Sequence, residues 1–302
     1  HVPHHVLQHV LHRVPRRSCG TAPPLPRPAM CGRYALAHPR RLAESGLLDQ
    51  LAVAAVAPDV PAELPARHNI APSQPVLAAL NAPVRRAGGG DEGRTHARET
   101  RRTLALLRWG LVPRWAKEAS IGHRLANARA ETIATAPAFR DAWARGRRCA
   151  VLADAFYEWQ DVRDATADPR NGDPGTTGRR PVARAAKPRK QPWALQLAGG
   201  APFAFAGLWE RWRDPADADA TPLVTCTLVT TAPNALVASI HDRMPVILTG
   251  DALTAWLDGS VDADAAGALL APYPAGAMEA WRVSTRVNTP ANDDPGVLAP
   301  LA

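Results

Sequence analysis

Cys31 sits between Met30 and Gly32-Arg33-Tyr34 in a chain of 302 residues that opens on His1. If translation begins at Met30 and that Met is removed, Cys31 presents a thiol and an α-amine on adjacent carbons. Such an amine titrates near about 7.7 to 8.0 and such a thiol near about 8.5, so both are partly in reactive form at neutral pH. The amine condenses with an aldehyde to an imine, and the thiolate closes on the imine carbon to give a thiazolidine. A cysteine whose nitrogen is already an amide has no such route. The competing role of a cysteine is that of a small buried hydrophobe.

Imine chemistry needs a proton donor and acceptor, and two residues qualify. Glu158 lies in Phe156-Tyr157-Glu158-Trp159, where aromatic neighbours desolvate the carboxyl and fit it to donate as well as accept a proton. The alternative is a strand-end Glu in solvent or paired with an Arg. His241, in Ile240-His241-Asp242-Arg243-Met244-Pro245, carries a ring suited to proton shuttling, with Asp242 available to set its tautomer. Pro245 stiffens that loop and biases Met244 toward an extended conformation.

Asn127 and Arg129 are two residues apart in Asn127-Ala128-Arg129-Ala130-Glu131-Thr132, hence on one side of an extended segment. An amide there suits a hydroxyl or carbonyl, and an Arg suits a phosphate. Arg33 and Arg243 would join Arg129 as phosphate ligands if their segments converge. Nine Trp against four Phe and three Tyr is an unusual ratio, and a Trp exposed beside cations stacks on unpaired bases. Trp115, after Arg114, and Pro72, in Asn69-Ile70-Ala71-Pro72, supply rigid apolar surface of that kind, whereas Trp109, Trp209 and Trp256 are assigned to the core.

The elements that must position these groups are mainly strands. β-branched and aromatic content marks strands at 76–80, 104–109, 149–159, 193–197, 203–209, 223–231 and 281–287. Helical patterns cover 39–51, 234–240 and 251–258, the last capped by Asp251. Strands outnumber helices without alternating regularly with them, which predicts an α+β fold of mainly antiparallel sheets. Two polar stretches, 81–102 and 161–190, read as flexible surface insertions. Residues 1–29 hold five of the ten His, four Arg and no Asp or Glu, and are expected to be a non-native or unstructured leader. Without those four Arg the formal charge falls from +8 to +4, a balance that permits a phosphate-binding face without demanding one.

Four cysteines without paired spacing indicate neither a disulfide framework nor a zinc site. Glycine-rich nucleotide loops, zinc-protease and α/β-hydrolase motifs are absent from the sequence. No apolar run reaches the roughly 18 to 20 residues of a membrane span.

In order, the segments MCGRY, NIAP, RWGLVPRWA, NARAET, RRCAVLADAFYEWQ, PFAFAGLWERW, LVTTAPN and IHDRMPVIL resemble the SOS-response-associated peptidase (SRAP) family, from Met30 to about Val287. The resemblance implies a single α+β domain over 30–302, with curved, mainly antiparallel sheets flanked by helices around a groove for single-stranded DNA. It implies that Cys31 crosslinks the aldehyde of an abasic site as a thiazolidine, protecting the lesion during the DNA damage response. Asn127, Glu158 and His241 would surround the deoxyribose, and Thr230 would line the pocket. Arg33, Arg129 and Arg243 would contact phosphates, and Pro72 and Trp115 would wedge against neighbouring bases. No metal or other cofactor is implied. The expected partner is abasic single-stranded DNA, with no membrane, and the expected state is a cytoplasmic monomer that joins the nucleoid on damaged DNA. The alternative activity is that of an N-terminal-nucleophile thiol peptidase or amidohydrolase, in which the α-amine serves as base for the thiolate.

Overall fold

The computed structural model of the protein describes residues 32–83, 100–162, 189–217 and 219–301. Cys31, the expected leader and the interiors of the two expected insertions lie outside the described residues.

Among the described residues, fourteen strands follow in chain order: β1 (Arg33–Leu36), β2 (Ala55–Val56), β3 (Arg67–Ile70), β4 (Pro75–Pro83), β5 (Thr100–Trp109), β6 (Asn127–Arg129), β7 (Arg148–Ala153), β8 (Ala155–Val162), β9 (Arg189–Leu197), β10 (Phe203–Trp212), β11 (Leu223–Thr231), β12 (Met244–Pro245), β13 (Ile247–Leu248) and β14 (Met278–Arg282). The helices are α1 (Arg41–Glu44), α2 (Leu47–Gln50), α3 (Arg140–Ala144), α4 (Gly250–Leu257) and α5 (Ala263–Ala268).

The strands make two sheets. One has five strands in the order β14-β9-β8-β1-β3. In the other, β11, β10, β7, β4 and β5 are neighbours in turn, and β5 pairs in parallel with β11 through Thr225↔Arg108 and Cys226↔Trp109, which closes them into a barrel. The chain is therefore mostly β. The helices run four to eight residues, with α4 packed on β7 and α3 on β10, so the flanking layer that the resemblance implies is present only in part.

Alternation along β1 explains how the sheets pack. Tyr34 and Leu36 face the large core shared with the barrel, while Ala35 and Ala37 face a smaller core with Tyr157, Val283, Val287 and Val297. Edge-to-face rings bridge the sheets: Tyr34 to Trp109 at 5.4 Å and to Phe205 at 5.6 Å, and Phe156 to Phe205 at 6.1 Å. Each such pair adds about 0.5 to 1.5 kcal/mol beyond its buried area. Trp109 and Trp256 are buried as expected, the latter donating from Nε1 to the Cys149 carbonyl at 2.9 Å.

Several expected boundaries move for identifiable reasons. The helix expected over 39–51 breaks at Gly46, whose φ of 75° ends α1 and starts α2. The one over 234–240 is a single 3-10 turn, Val237–Ser239. The cap of α4 is Thr249, and Asp251 lies inside its first turn. The strand expected over 149–159 is two, because Asp154 leaves the ladder to bind the backbone N–H groups of Ala37 at 3.0 Å and His38 at 2.6 Å. The margins of both expected insertions are strand: Asn81 pairs with Arg102 and Asp161 with Lys190.

Gly110 marks the tightest crossing, where β5 leaves the barrel. Its φ is +122°, and a Cβ there would lie 2.6 Å from the Gly122 carbonyl oxygen. Gly110→Ala is expected to cost about 2 kcal/mol or more, from left-handed strain and displaced backbone. Urea unfolding measures it, and an unchanged midpoint would show that the crossing is not a constraint.

Candidate active site

Glu158 and His241 meet at the junction of the two sheets. Glu158, on β8, is 1% exposed, and its Oε2 is 4.0 Å from His241 Nε2. Burial here fits the desolvation expected from the aromatic neighbours. His241 ends the turn Val237–Ser239, its N–H bonding the Val237 carbonyl at 2.8 Å. Gln160 fixes that turn to β8, donating from Nε2 to the Ser239 carbonyl at 2.8 Å and accepting from Trp193 Nε1 at 3.1 Å.

The Arg243 backbone N–H donates to His241 Nδ1 at 3.1 Å. In the neutral ring Nδ1 is thus the acceptor and the proton sits on Nε2, facing Glu158. Asp242 Oδ1 also lies 3.1 Å from Nδ1. A protonated ring would turn Nδ1 into a donor toward that exposed carboxylate, so Asp242 serves the charged form rather than setting the neutral tautomer.

A second group converges at the end of β11. β6 runs parallel to it, with Asn127 level with Leu228 and Arg129 level with Thr230. Ala128 is buried while Arg129 is exposed, as the two-residue alternation requires. β12 pairs Pro245 with Thr230 from the other side, which brings Arg243 to the same spot. Thr230 is fully buried and acts as the stitch: its hydroxyl donates to the Ala128 carbonyl at 3.3 Å, and its own carbonyl accepts from Arg243 Nη2 at 2.7 Å. The Arg243 fork also embraces Glu131, with Nη2 2.8 Å from Oε2. Arg243, first through that hydrogen bond, holds the Glu131 carboxyl below the ordinary carboxylate range.

Arg33 is held differently. Its Nη1 donates to Asn69 Oδ1 at 3.0 Å and to the Val287 carbonyl, and its Nη2 to the Asn288 carbonyl at 3.0 Å. Burial lowers its pKa. The guanidinium therefore ties β1 to the C-terminal segment. Pro72 and Trp115 belong to other surface loops. Next to Pro72, Ser73 has a φ of 75°, and its Oγ lies 2.8 Å from His123 Nδ1. Trp115 is 57% exposed, an outlier among the large apolar side chains, with Nε1 3.4 Å from the Pro137 carbonyl.

The family model described as SOS response associated peptidase (SRAP) matches residues 30–290. The chain belongs to the SRAP family. Its SRAP relatives include abasic site processing protein YoqW of Bacillus subtilis (strain 168), 37% identical over 89% of this chain and 99% of that one. Abasic site processing protein HMCES of Gallus gallus is 33% identical over 68% of this chain and 60% of its own length. A crystal structure of a Bordetella bronchiseptica protein superposes with a TM-score of 0.58 at 26% identity, over 84% of this chain and all of that one.

Within the SRAP frame, sequence reasoning overlooked Asn69, Glu131, Gln160 and Asp293. Asn69, within the NIAP segment, is 0% exposed, and its Nδ2 lies 2.8 Å from the Asn292 and 3.0 Å from the Thr289 carbonyl. A polar residue opening an otherwise apolar NIAP run was the available signal. Asp293 had none, being distant in sequence from everything it binds.

Asp293 accepts from the backbone N–H groups of His68 and Asn69 and from Arg67 Nε, covering the outer edge of β3. Burial opposes its ionisation, but Arg67 and the two N–H groups outweigh it, and the carboxyl titrates below its ordinary 3.8. A depressed folded pKa adds stability above the unfolded value, lost as pH falls through the folded one. Asp293→Ala should cost about 1 to 3 kcal/mol at neutral pH by stranding those donors. In urea unfolding at a series of pH values the gap from wild type should narrow below pH 3.8; a gap independent of pH would refute the charge assignment.

Proposed function

We propose that the protein captures abasic sites in single-stranded DNA through a thiazolidine on Cys31, and that the working chain begins at that residue. The observation carrying this is the pairing of β1 with β8. Arg33 lies opposite Tyr157, so the antiparallel register continued by one residue brings Gly32 level with Glu158, 4.0 Å from His241. One peptide link, about 3.8 Å between Cα atoms, then separates Gly32 from Cys31. The SRAP match beginning at residue 30 and relatives named abasic site processing protein support the same reading.

The chemistry balances without a co-reactant. An abasic deoxyribose opens to its aldehyde, and the Cys31 amine adds to C1′ to give a carbinolamine. Glu158 in its protonated form gives a proton to the departing hydroxyl, so water leaves and an imine remains. Thiolate attack forms the C–S bond as the imine nitrogen regains its proton, and the net loss is one water. His241, with its Nε2 toward Glu158, exchanges protons with the sugar oxygen and the carboxyl. Asn127 bonds the opened sugar.

Phosphates would lie along exposed Arg129 and the largely buried Arg243, with Arg33 contributing the donors that its scaffold bonds leave over, and Pro72 and Trp115 would bracket the flanking bases. Such contacts hold a strand without reading sequence, so selectivity comes from the aldehyde.

A second reading, thiol peptidase or amidohydrolase chemistry at the same Cys31, is favoured by the family's description as a peptidase.

Protein starting at Cys31, mixed with an oligonucleotide bearing one abasic site, should give a band stable to denaturing electrophoresis, one water lighter than the summed masses. Cys31→Ala should abolish it, and Glu158→Gln or His241→Ala should slow it about a hundredfold or more. No band, with glutaminase or peptidase activity free of DNA, would replace this reading with the second one.

A further inference from the structure

Glu131 stands between two of the cations assigned to phosphate. Both Nη atoms of Arg243 contact its carboxylate, and Arg129 acts on the same group through space. The Arg243 side chain is only 14% exposed, whereas Glu131 is 53% exposed on the 3-10 turn Ala130–Thr132. A fork of two parallel N–H groups that fits a carboxylate fits a phosphate equally well. The second N–H of Nη2 is already committed to the Thr230 carbonyl, and Nε is buried. A phosphate that takes both nitrogens of that fork must therefore displace Glu131.

We propose that Glu131 is a specificity-determining residue: it occupies the Arg243 fork as an internal counter-anion and so weakens reversible binding of undamaged strands relative to covalent capture of the lesion. The inference rests on the proposed function, in which Arg243 is a phosphate contact. Reversible binding to an intact strand carries the full cost of breaking the Arg243–Glu131 pair each time. A covalent bond at an abasic sugar, once formed, is insensitive to that cost. Discrimination is thereby raised by weakening what the wrong ligand gains, with no new contact to the right one.

The test measures the affinity of the full chain for an undamaged single-stranded oligonucleotide by fluorescence anisotropy over a series of salt concentrations. Glu131→Gln should bind about two- to fivefold more tightly than wild type, the range expected for release of an exposed pair, with a steeper salt dependence. Arg243→Gln should bind more weakly, and adding Glu131→Gln to it should bring no further gain. Arg243→Lys, which keeps the charge without the fork, replaces Arg243→Gln if that variant loses its fold.

Equal gains from Glu131→Gln with and without Arg243 would reduce Glu131 to a general negative charge and overturn the inference, as would no gain at all. Unchanged affinity in Arg243→Gln would instead remove Arg243 from the phosphate contacts, and the inference with it. Neither outcome depends on whether a crosslink forms, so the covalent reading is judged separately.

Discussion

The lateral position of β1 is the constraint on which the site depends. It lies between β8 and β3 and pairs with both, antiparallel on each side. Side chains alternate with a period of two, so a slip of one residue would carry Tyr34 out of the aromatic core and into the face built from Ala35 and Tyr157. The same slip would move Arg33 away from the level of Tyr157. Three separate anchors oppose it: the ring contacts of Tyr34, the Asp154 carboxylate on the N–H groups of Ala37 and His38, and the Arg33 guanidinium among Asn69 and two carbonyls. Each rewards one register only.

Electrostatics at the site are arranged around what is left uncommitted. Arg33 and Arg243 spend most of their donors on carbonyls and carboxyl groups of the fold, while Arg129 remains exposed. Tyr157, whose hydroxyl donates to the His68 carbonyl at 2.6 Å, is pushed above its ordinary pKa by burial, then by Asp154 and Asp293, and stays a donor. The Glu158–His241 pair differs from these. Backbone hydrogen bonding from Arg243 orders the ring, yet a 4.0 Å separation from Glu158 is longer than a hydrogen bond.

Local pattern made some of this visible and topology hid the rest. The strand over Leu223–Thr231 was legible to the residue, because six of its nine side chains are β-branched. Glu158, His241 and the Asn127–Arg129 pair were legible as chemistry, and the first two do meet. β1 was not read as a strand: four residues carry too little periodicity, and its stability comes from two neighbours rather than from propensity. Barrel closure was equally hidden, since it rests on β5 meeting β11 across more than a hundred residues of chain. The scaffold bonds of Arg33 were hidden for the same reason, its partners Val287 and Asn288 lying 254 and 255 residues away.

Those separations bear on when the site comes into being. β8 reaches β1 after 124 residues of chain, counted from Arg33 to Tyr157, but the bonds that fix Arg33, Asn69 and β3 come from residues 287 to 293. Loop closure over such distances is slow to gain its compensating contacts, so strands paired this way consolidate late. Before the C-terminal segment docks, Asn69 and the N–H groups of β3 lack the partners that make their burial tolerable, and β1 has one secured edge instead of two. The register of β1 is therefore fully secured only once the C-terminal segment is in place.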